Sequence, residues 1–216
     1  VAQLAKVHDP TWGGFGQAPK FPQTMSLELL LRVHQRTGDQ DALDVVTTTL
    51  ASMARGGIYD HLGGGFSRYS VDAFWMVPHF EKMLYDQALL ARTYLHAWEI
   101  TGDPEHLQVL EEVVGYVQRD LATTAGGICS AEDADSEGEE GLFYVWKRKQ
   151  LHELLGDDAD AAVAWWGLSE GGNFEGANIL HRPQDGSLVR PPEIERARLR
   201  LLEERGHRVR PGLDDK

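Results

Sequence analysis

Thr101-Gly102-Asp103-Pro104 closes one apolar helical stripe and opens another, and the same device stands earlier as Thr37-Gly38-Asp39. Glycine after a periodic segment stops a helix, and aspartate before one caps its start. Proline fits the first helical turn, where its missing N–H costs nothing. Before the earlier turn, Leu27, Leu30, Leu31 and His34 share a helical face; after it, Leu43, Val46, Leu50 and Met53 do. Around the later turn, the spacing predicts a helix over about 78–100 with the stripe Phe80, Leu84, Ala88, Ala91, Leu95 and Trp98. The next helix follows with Leu107, Leu110, Val114, Val117 and Leu121. The two turns lie 64 residues apart, Leu43 recurs as Leu107 at that offset, and Gly57-Ile58 recurs as Gly127-Ile128 at 70. The repeated unit is helix, tight turn, helix, long glycine-headed loop. One such hairpin cannot bury both its faces, so hairpins must pack on neighbours. The tight turns fall at one end of the helix layer and the long loops, about 56–77 and 122–146, at the other. Loops held by a rigid scaffold are where function usually resides.

Shorter helices are expected near 147–155 and over about 192–205, the latter ended by Gly206. Residues 1–23, punctuated by Pro10, Gly13, Gly14, Gly16, Pro19 and Pro22, read as a loop-like leading segment. With 216 residues, 42% of them hydrophobic and 25% charged, the chain has a globular composition. Its net charge of -13 repels phosphate backbones and anionic lipid, which sets aside nucleic-acid and membrane partners. The basic run over 196–210 contains Glu203 and Glu204 and reads as the solvated face of a helix. Cys129 is the single cysteine, so no disulfide forms within the chain, and a reducing, cytoplasmic setting is the expectation. No apolar stretch approaches the roughly 18 residues of a membrane span.

The polar candidates cluster in the long loops and at the start of the 78–100 segment. On a helix, His79, Met83, Asp86 and Leu90 would share one face. His79 and Asp86 could then handle protons at the edge of a cleft, or form a structural network. Lys82 and Asp86 stand at i, i+4 and read as a structural pair, while Glu81 suits the first helical turn. Tyr85 either lines the cleft or fills a packing contact. Around the glycine run 63–65 sit Tyr59, Asp60, His61, Arg68, Tyr69, Asp72 and Trp75. Aromatic faces beside carboxylates and an arginine suit a sugar, whose ring is apolar above and hydroxylated at its edge; aromatics also anchor cores. The glycines lack the lysine and Ser/Thr of a phosphate loop and read as sites of close backbone packing. Glu132 and Asp133 follow the repeated Gly-Ile directly, with Asp135, Glu137, Glu139 and Glu140 behind them. Asp133, Asp135, Glu137 and Gly138 begin a calcium-loop pattern that fails at Tyr144, where a bidentate glutamate is needed. Neither a metal nor a cofactor is assigned. Glu175 and Asn178 could bond a hydroxylated ligand or pin an irregular loop.

Gly56-Gly57-Ile58-Tyr59-Asp60-His61-Leu62-Gly63-Gly64-Gly65-Phe66 leads through Arg68-Tyr69-Ser70-Val71-Asp72 to Val77-Pro78-His79-Phe80-Glu81-Lys82-Met83-Leu84-Tyr85-Asp86. Together with Ala18-Pro19-Lys20-Phe21-Pro22, Ser130-Ala131-Glu132-Asp133-Ala134-Asp135-Ser136 and Asn173-Phe174-Glu175-Gly176, this closely resembles the YyaL and spermatogenesis-associated protein 20 family. The resemblance covers essentially the whole chain. Its members typically pair a thioredoxin-like domain with a helical (α/α)6 toroid related to N-acylglucosamine 2-epimerases and six-hairpin glycosidases. It implies an all-α fold: residues 1–216 would be an incomplete six-hairpin glycosidase-like toroid of about three hairpins, with a cleft at the loop-bearing end. Ser67 stands where the family pattern has histidine, and Gln87 where it has asparagine. The thioredoxin-like domain is not among these residues, so no redox chemistry is carried over.

The implied function is carbohydrate-active, as a sugar isomerase or epimerase or a glycosidase-like relative. The alternative is a non-catalytic helical scaffold for a peptide or protein partner, and whether the chain is an enzyme stays open. An epimerase would draw its base and acid from His61, His79 and Asp86. A hydrolase would pair two of Asp60, Asp72, Asp86, Glu132 and Asp133 across a glycosidic bond. These residues are expected to converge on one concavity, with Tyr59, Arg68, Tyr69, Trp75, Tyr85, Glu175 and Asn178 on the substrate. A carbohydrate is the expected ligand, and the rest of the toroid or a second chain is expected to complete the fold. The tail over 208–216 is expected to fray.

Overall fold

The computed structural model describes residues 2–183 and 186–215. A short helix, α1 (Ala2–Val7), lies in the leading segment that reads as loop from sequence. Three antiparallel hairpins follow: α2 (Thr24–Thr37) with α3 (Gln40–Arg55), α4 (Leu84–Thr101) with α5 (Pro104–Tyr116), and α6 (Arg148–Leu155) with α7 (Ala159–Trp165). α8 (Pro192–Arg205) packs on both helices of the third. The architecture is all-α with paired helices, as the repeat implies, and the described residues do not close a ring.

The two tight turns are built alike. Gly38 and Gly102 end their helices at φ 74° and 68°, and Asp39 and Asp103 cap the next helices by accepting from Ala42 N and Glu105 N. Thr37 and Thr101 each donate a hydroxyl back to a carbonyl four residues earlier and accept from the aspartate N–H. Because a Cβ disfavours that left-handed geometry, Gly102→Ala is expected to cost about 1 kcal/mol. A urea melt would check this, and an unchanged midpoint would refute it.

The main core lies between the first two hairpins, from Leu27, Leu30 and Leu31 through Val46, Leu50 and Met53 to Leu90, Tyr94, Val109 and Val113. A second gathers Trp146, Leu151, Trp166, Ile194 and Leu201 around α6, α7 and α8. In α4 and α5 the buried face differs from the expected stripe. Gln87, Leu90, Thr93, Tyr94 and Ala97 are buried in α4, and His106, Val109, Val113 and Tyr116 in α5. Leu84, Leu95, Trp98, Leu107 and Leu110 are only half-buried. Apolar residues stand on both faces of these helices, and the buried seam includes polar groups satisfied by backbone: Gln87 bonds Phe66 on both its N–H and C=O, and Thr93 donates to Leu89 O.

Short strands knit the long loops together. β1 (Tyr69–Ser70) pairs antiparallel with β2 (Pro78–His79), and β3 (Lys82–Met83) pairs with β4 (Ala131–Glu132). β5 (Asp135–Ser136) and β6 (Glu139–Glu140) form a hairpin around Glu137 and Gly138, both at positive φ, which is the turn the calcium-like spacing encodes here. β7 (Leu213–Asp214) adds to the free side of β4. Two expectations are corrected. Pro78 sits in a strand, not in a first helical turn, and the helix begins at Leu84. The residues after α8 are not frayed as far as residue 215, because β7 fastens them to the loop cluster. No helix of the described residues is long and apolar enough to cross a membrane.

Candidate functional site

Pairing of β3 with β4 brings the loop after the first hairpin against the loop after the second, with Lys82 opposite Glu132. The glycine run makes room for this. A Cβ on Gly64 would meet the Glu112 carbonyl oxygen at 2.3 Å, and one on Gly65 the Tyr116 ring at 2.7 Å. Two layers of polar side chains result, one sealed and one open.

In the sealed layer Asp60 takes a bidentate contact from Arg205, 2.8 Å on each oxygen, and a third from Lys82 Nζ at 2.9 Å. Its Oδ1 also accepts from the Leu62 and Gly63 N–H groups. Burial alone would raise the Asp60 pKa, but Arg205 and Lys82 hold it well below the usual carboxylate range. Lys82 lies over the Tyr116 and Tyr144 rings, 4.3 and 4.8 Å from their centroids, and burial lowers its pKa against the pull of Asp60 and Glu132. Glu132, almost fully buried, accepts from Tyr116 and Tyr144 hydroxyls at 2.8 and 3.1 Å and from Arg210 at 3.1 Å. Arg210 also bonds Asp120, which sits in the π-helical turn Val117–Leu121 that extends α5. His61 is buried, with Nε2 3.0 Å from Gly56 O, and burial pushes its pKa down to about 4. Ser67 lines a cavity of about 20 Å³ with Asp60, His61, Lys82 and Arg205.

The open layer begins with an aromatic ladder. Phe21 lies 4.9 Å from Tyr69, and Tyr69 stacks on His79 at 5.0 Å. His79 Nδ1 is 2.8 Å from Glu140, and its Nε2 is 3.7 Å from Glu81, which pairs with Arg68 at 2.8 Å. Arg68, Tyr85 and Asp86 then line one surface depression with Phe21 and Met25. Asp86 is half-buried, and its Oδ2 is buried with no hydrogen-bond partner among the described residues. Burial raises its pKa to about 7; Arg68 opposes the shift and Glu81 adds to it.

His79, Asp86, Arg68, Tyr69 and Tyr85 thus gather in the open layer, and Asp60, His61 and Glu132 in the sealed one. Asp133 is exposed beside them, its N–H donating to Gly212 O. The rest serve elsewhere. Trp75 is fully buried and donates to Trp12 O. Tyr59 is buried and bonds Glu112, and Asp72 accepts from the Phe74, Met76 and Val77 N–H groups. Asn178 ties Trp146 to Ser169, and Glu175 occupies a tight turn at φ 48°. Lys82 pairs with Asp60, not with Asp86 as a helical spacing would have it. The basic run is corrected as well: Arg205 and Arg210 reach inward to carboxylates, and Arg208 stacks on Trp146 and donates to Phe143 and Val145 carbonyls. Sequence reasoning missed Phe21, Tyr116, Asp120, Arg205 and Arg210; Arg205 ends α8 and Arg210 follows it, and no local pattern ties either to a carboxylate.

The paired helices have a fold like that of the six-hairpin glycosidases. A cellobiose 2-epimerase from Bacillus thermoamylovorans superposes with a TM-score of 0.55 at 15% identity, over 64% of this chain and 40% of that one. A sugar epimerase from a ruminal bacterium gives 0.55 at 16%, over 74% and 46%. At these identities the likeness is one of fold. No family model matches the chain. Among curated proteins it is 37% identical to spermatogenesis-associated protein 20 of Homo sapiens, over 99% of this chain and 32% of that protein. The rat protein of that name is 40% identical over 87% and 26%. The chain belongs to the YyaL and spermatogenesis-associated protein 20 family, and it spans about a third of the length of the curated relatives it matches.

Proposed function

We propose that this chain carries the acid–base face of a carbohydrate-acting helical ring of the isomerase or epimerase class, with Asp86 as the proton-transfer group. The observation that carries this is a half-buried carboxyl near pKa 7, its Oδ2 unbonded, opening onto an aromatic and charged depression. A group titrating there can both hold and release a proton at neutral pH. Phe21, Tyr69 and Tyr85 supply ring faces for a pyranose, and Arg68 supplies donors for its hydroxyls. His79, on the same ladder, is the second proton carrier. Asp60, Glu132 and their cations form the wall that fixes the loops, with Asp133 at its rim.

The test is solvent exchange. Incubated in D2O with free hexoses, N-acylhexosamines and reducing disaccharides, the full chain is expected to place deuterium on the carbon beside the sugar carbonyl. Asp86→Asn should slow that exchange by about 10²–10⁴-fold, with His79→Ala also impaired. Exchange that survives Asp86→Asn overturns the assignment.

A second reading rests on a different observation: Phe21, Met25, Leu29 and Tyr85 expose large apolar surface near the same depression. On that reading the face holds a peptide or protein partner without turnover, and the half-buried apolar side of α4 and α5 packs on the rest of the ring. Absence of exchange with every sugar, in a chain that self-associates in solution, would favour it.

A further inference from the structure

Away from both polar layers, Arg55 ends α3 and Arg182 lies in the segment between α7 and α8, and the Arg182 N–H donates to the Arg55 carbonyl at 2.8 Å. This backbone bond holds two cations side by side. Arg182 is only 9% exposed, yet its guanidinium makes no hydrogen bond among the described residues. It lies flat on the Trp165 ring, 3.8 Å from the centroid, with a buried, unpartnered Nε. Arg55 spends one nitrogen on Gly186 O, sits 3.7 Å from Glu105, and leaves a buried Nη1 without a partner. Buried donors without acceptors are costly, and cations are more so. Burial and the Arg55 charge both depress the Arg182 pKa against the pull of Glu105, which among the described residues is the one carboxylate paired with Arg55.

Both arginines line one depression, part of whose rim is apolar. Trp12 and Phe74 meet edge to face, 5.5 Å between centroids, and about half of each is exposed. We propose that this depression binds a small ring-bearing oxyanion, its phosphate or carboxylate on Arg55 and Arg182 and its ring against Trp12 and Phe74. Guanidinium forks match the two or three oxygens of such groups, and the rim supplies the contact that inorganic ions lack. The site does not depend on the sugar chemistry assigned to Asp86.

Calorimetric titration of the full chain with phenyl phosphate, benzoate and uncharged phenol tests this. Saturable binding of at least one anion is expected, weakened by salt, with phenol bound at least about tenfold more weakly. Preference for phenyl phosphate assigns phosphate monoesters, and preference for benzoate assigns carboxylates. Arg182→Met should weaken binding about tenfold or more. Because Arg182 packs on Trp165, the more exposed Arg55→Gln is the second variant, with the same loss expected in a chain of unchanged melting behaviour. Asp86→Asn should leave binding intact. Equal affinity for phenol, no saturation by either anion, or full affinity in a folded Arg55→Gln chain would overturn the site.

Discussion

Asp60→Ala is expected to destabilise the fold by about 3–5 kcal/mol, enough to remove a large part of the stability of an ordinary domain. The change deletes the carboxylate between Arg205 and Lys82, both almost fully buried, and leaves two cations facing each other away from water. It also strips the acceptor from the Leu62 and Gly63 N–H groups, so the glycine-run turn loses its anchor. Urea unfolding followed by circular dichroism measures the loss. Adding Lys82→Met to Asp60→Asn should recover part of the deficit, since it removes one stranded charge. A drop below about 1 kcal/mol in Asp60→Ala would mean that the cluster does not hold the loops together.

Asp86→Asn should have the opposite sign and the opposite pH dependence: the Asp60 contribution is lost as pH falls, whereas the Asp86 penalty appears as pH rises. The Asp86 carboxyl titrates at about 7 in the folded chain against an ordinary 3.8. Below about pH 3.8 both states are protonated and the residue is neutral in its effect. As pH rises, the unfolded chain ionises first, so stability contributed by the protonated form is lost progressively until the folded carboxyl titrates. Above that the penalty is full and constant. Asparagine carries no such penalty. The variant should therefore match the parent at pH 4 and exceed it at pH 8 by on the order of 2 kcal/mol, after allowing for solvent screening of a half-buried group. Paired melts at the two pH values check this, and an equal gap at both would show that Asp86 titrates normally. The same substitution should slow sugar exchange by about 10²–10⁴-fold, so a chain that gains stability while losing turnover would mark Asp86 as a functional group held at a structural cost.

The hairpins were legible because their turns are written in local chemistry. Gly38 with Asp39 and Gly102 with Asp103 are read and built in the same way, and α8 ends at Gly206 as read, there in a right-handed conformation. The faces of α4 and α5 were not, because Gln87, Thr93 and His106 are buried with partners that no periodicity reveals, while leucines remain half-exposed. Pro78 is ambiguous for a physical reason: its fixed φ suits a first helical turn and an edge strand equally, and the deciding partner is Ser70. His79 and Asp86 share a face only on a helical spacing that the chain does not use; a strand carries the one and a helix the other, with Glu81 and Arg68 between them. The carboxylates Asp60 and Glu132 were visible as candidates; their cations were not, since Arg205 and Arg210 come from the far end of the sequence.

That distance has a kinetic consequence. The first two hairpins are made of neighbours along the chain and can form while later residues are still being synthesised. The three-stranded patch β3–β4–β7 cannot, because its outer strand is Leu213–Asp214 and pairing over such separations is slow. Until those residues emerge, Glu132 lacks Arg210 and Asp60 lacks Arg205, and β4 has no outer strand. A nascent chain that has reached only the second hairpin would therefore carry two formed hairpins and an unlatched loop end, and residues 205–214 would be the ones that lock it.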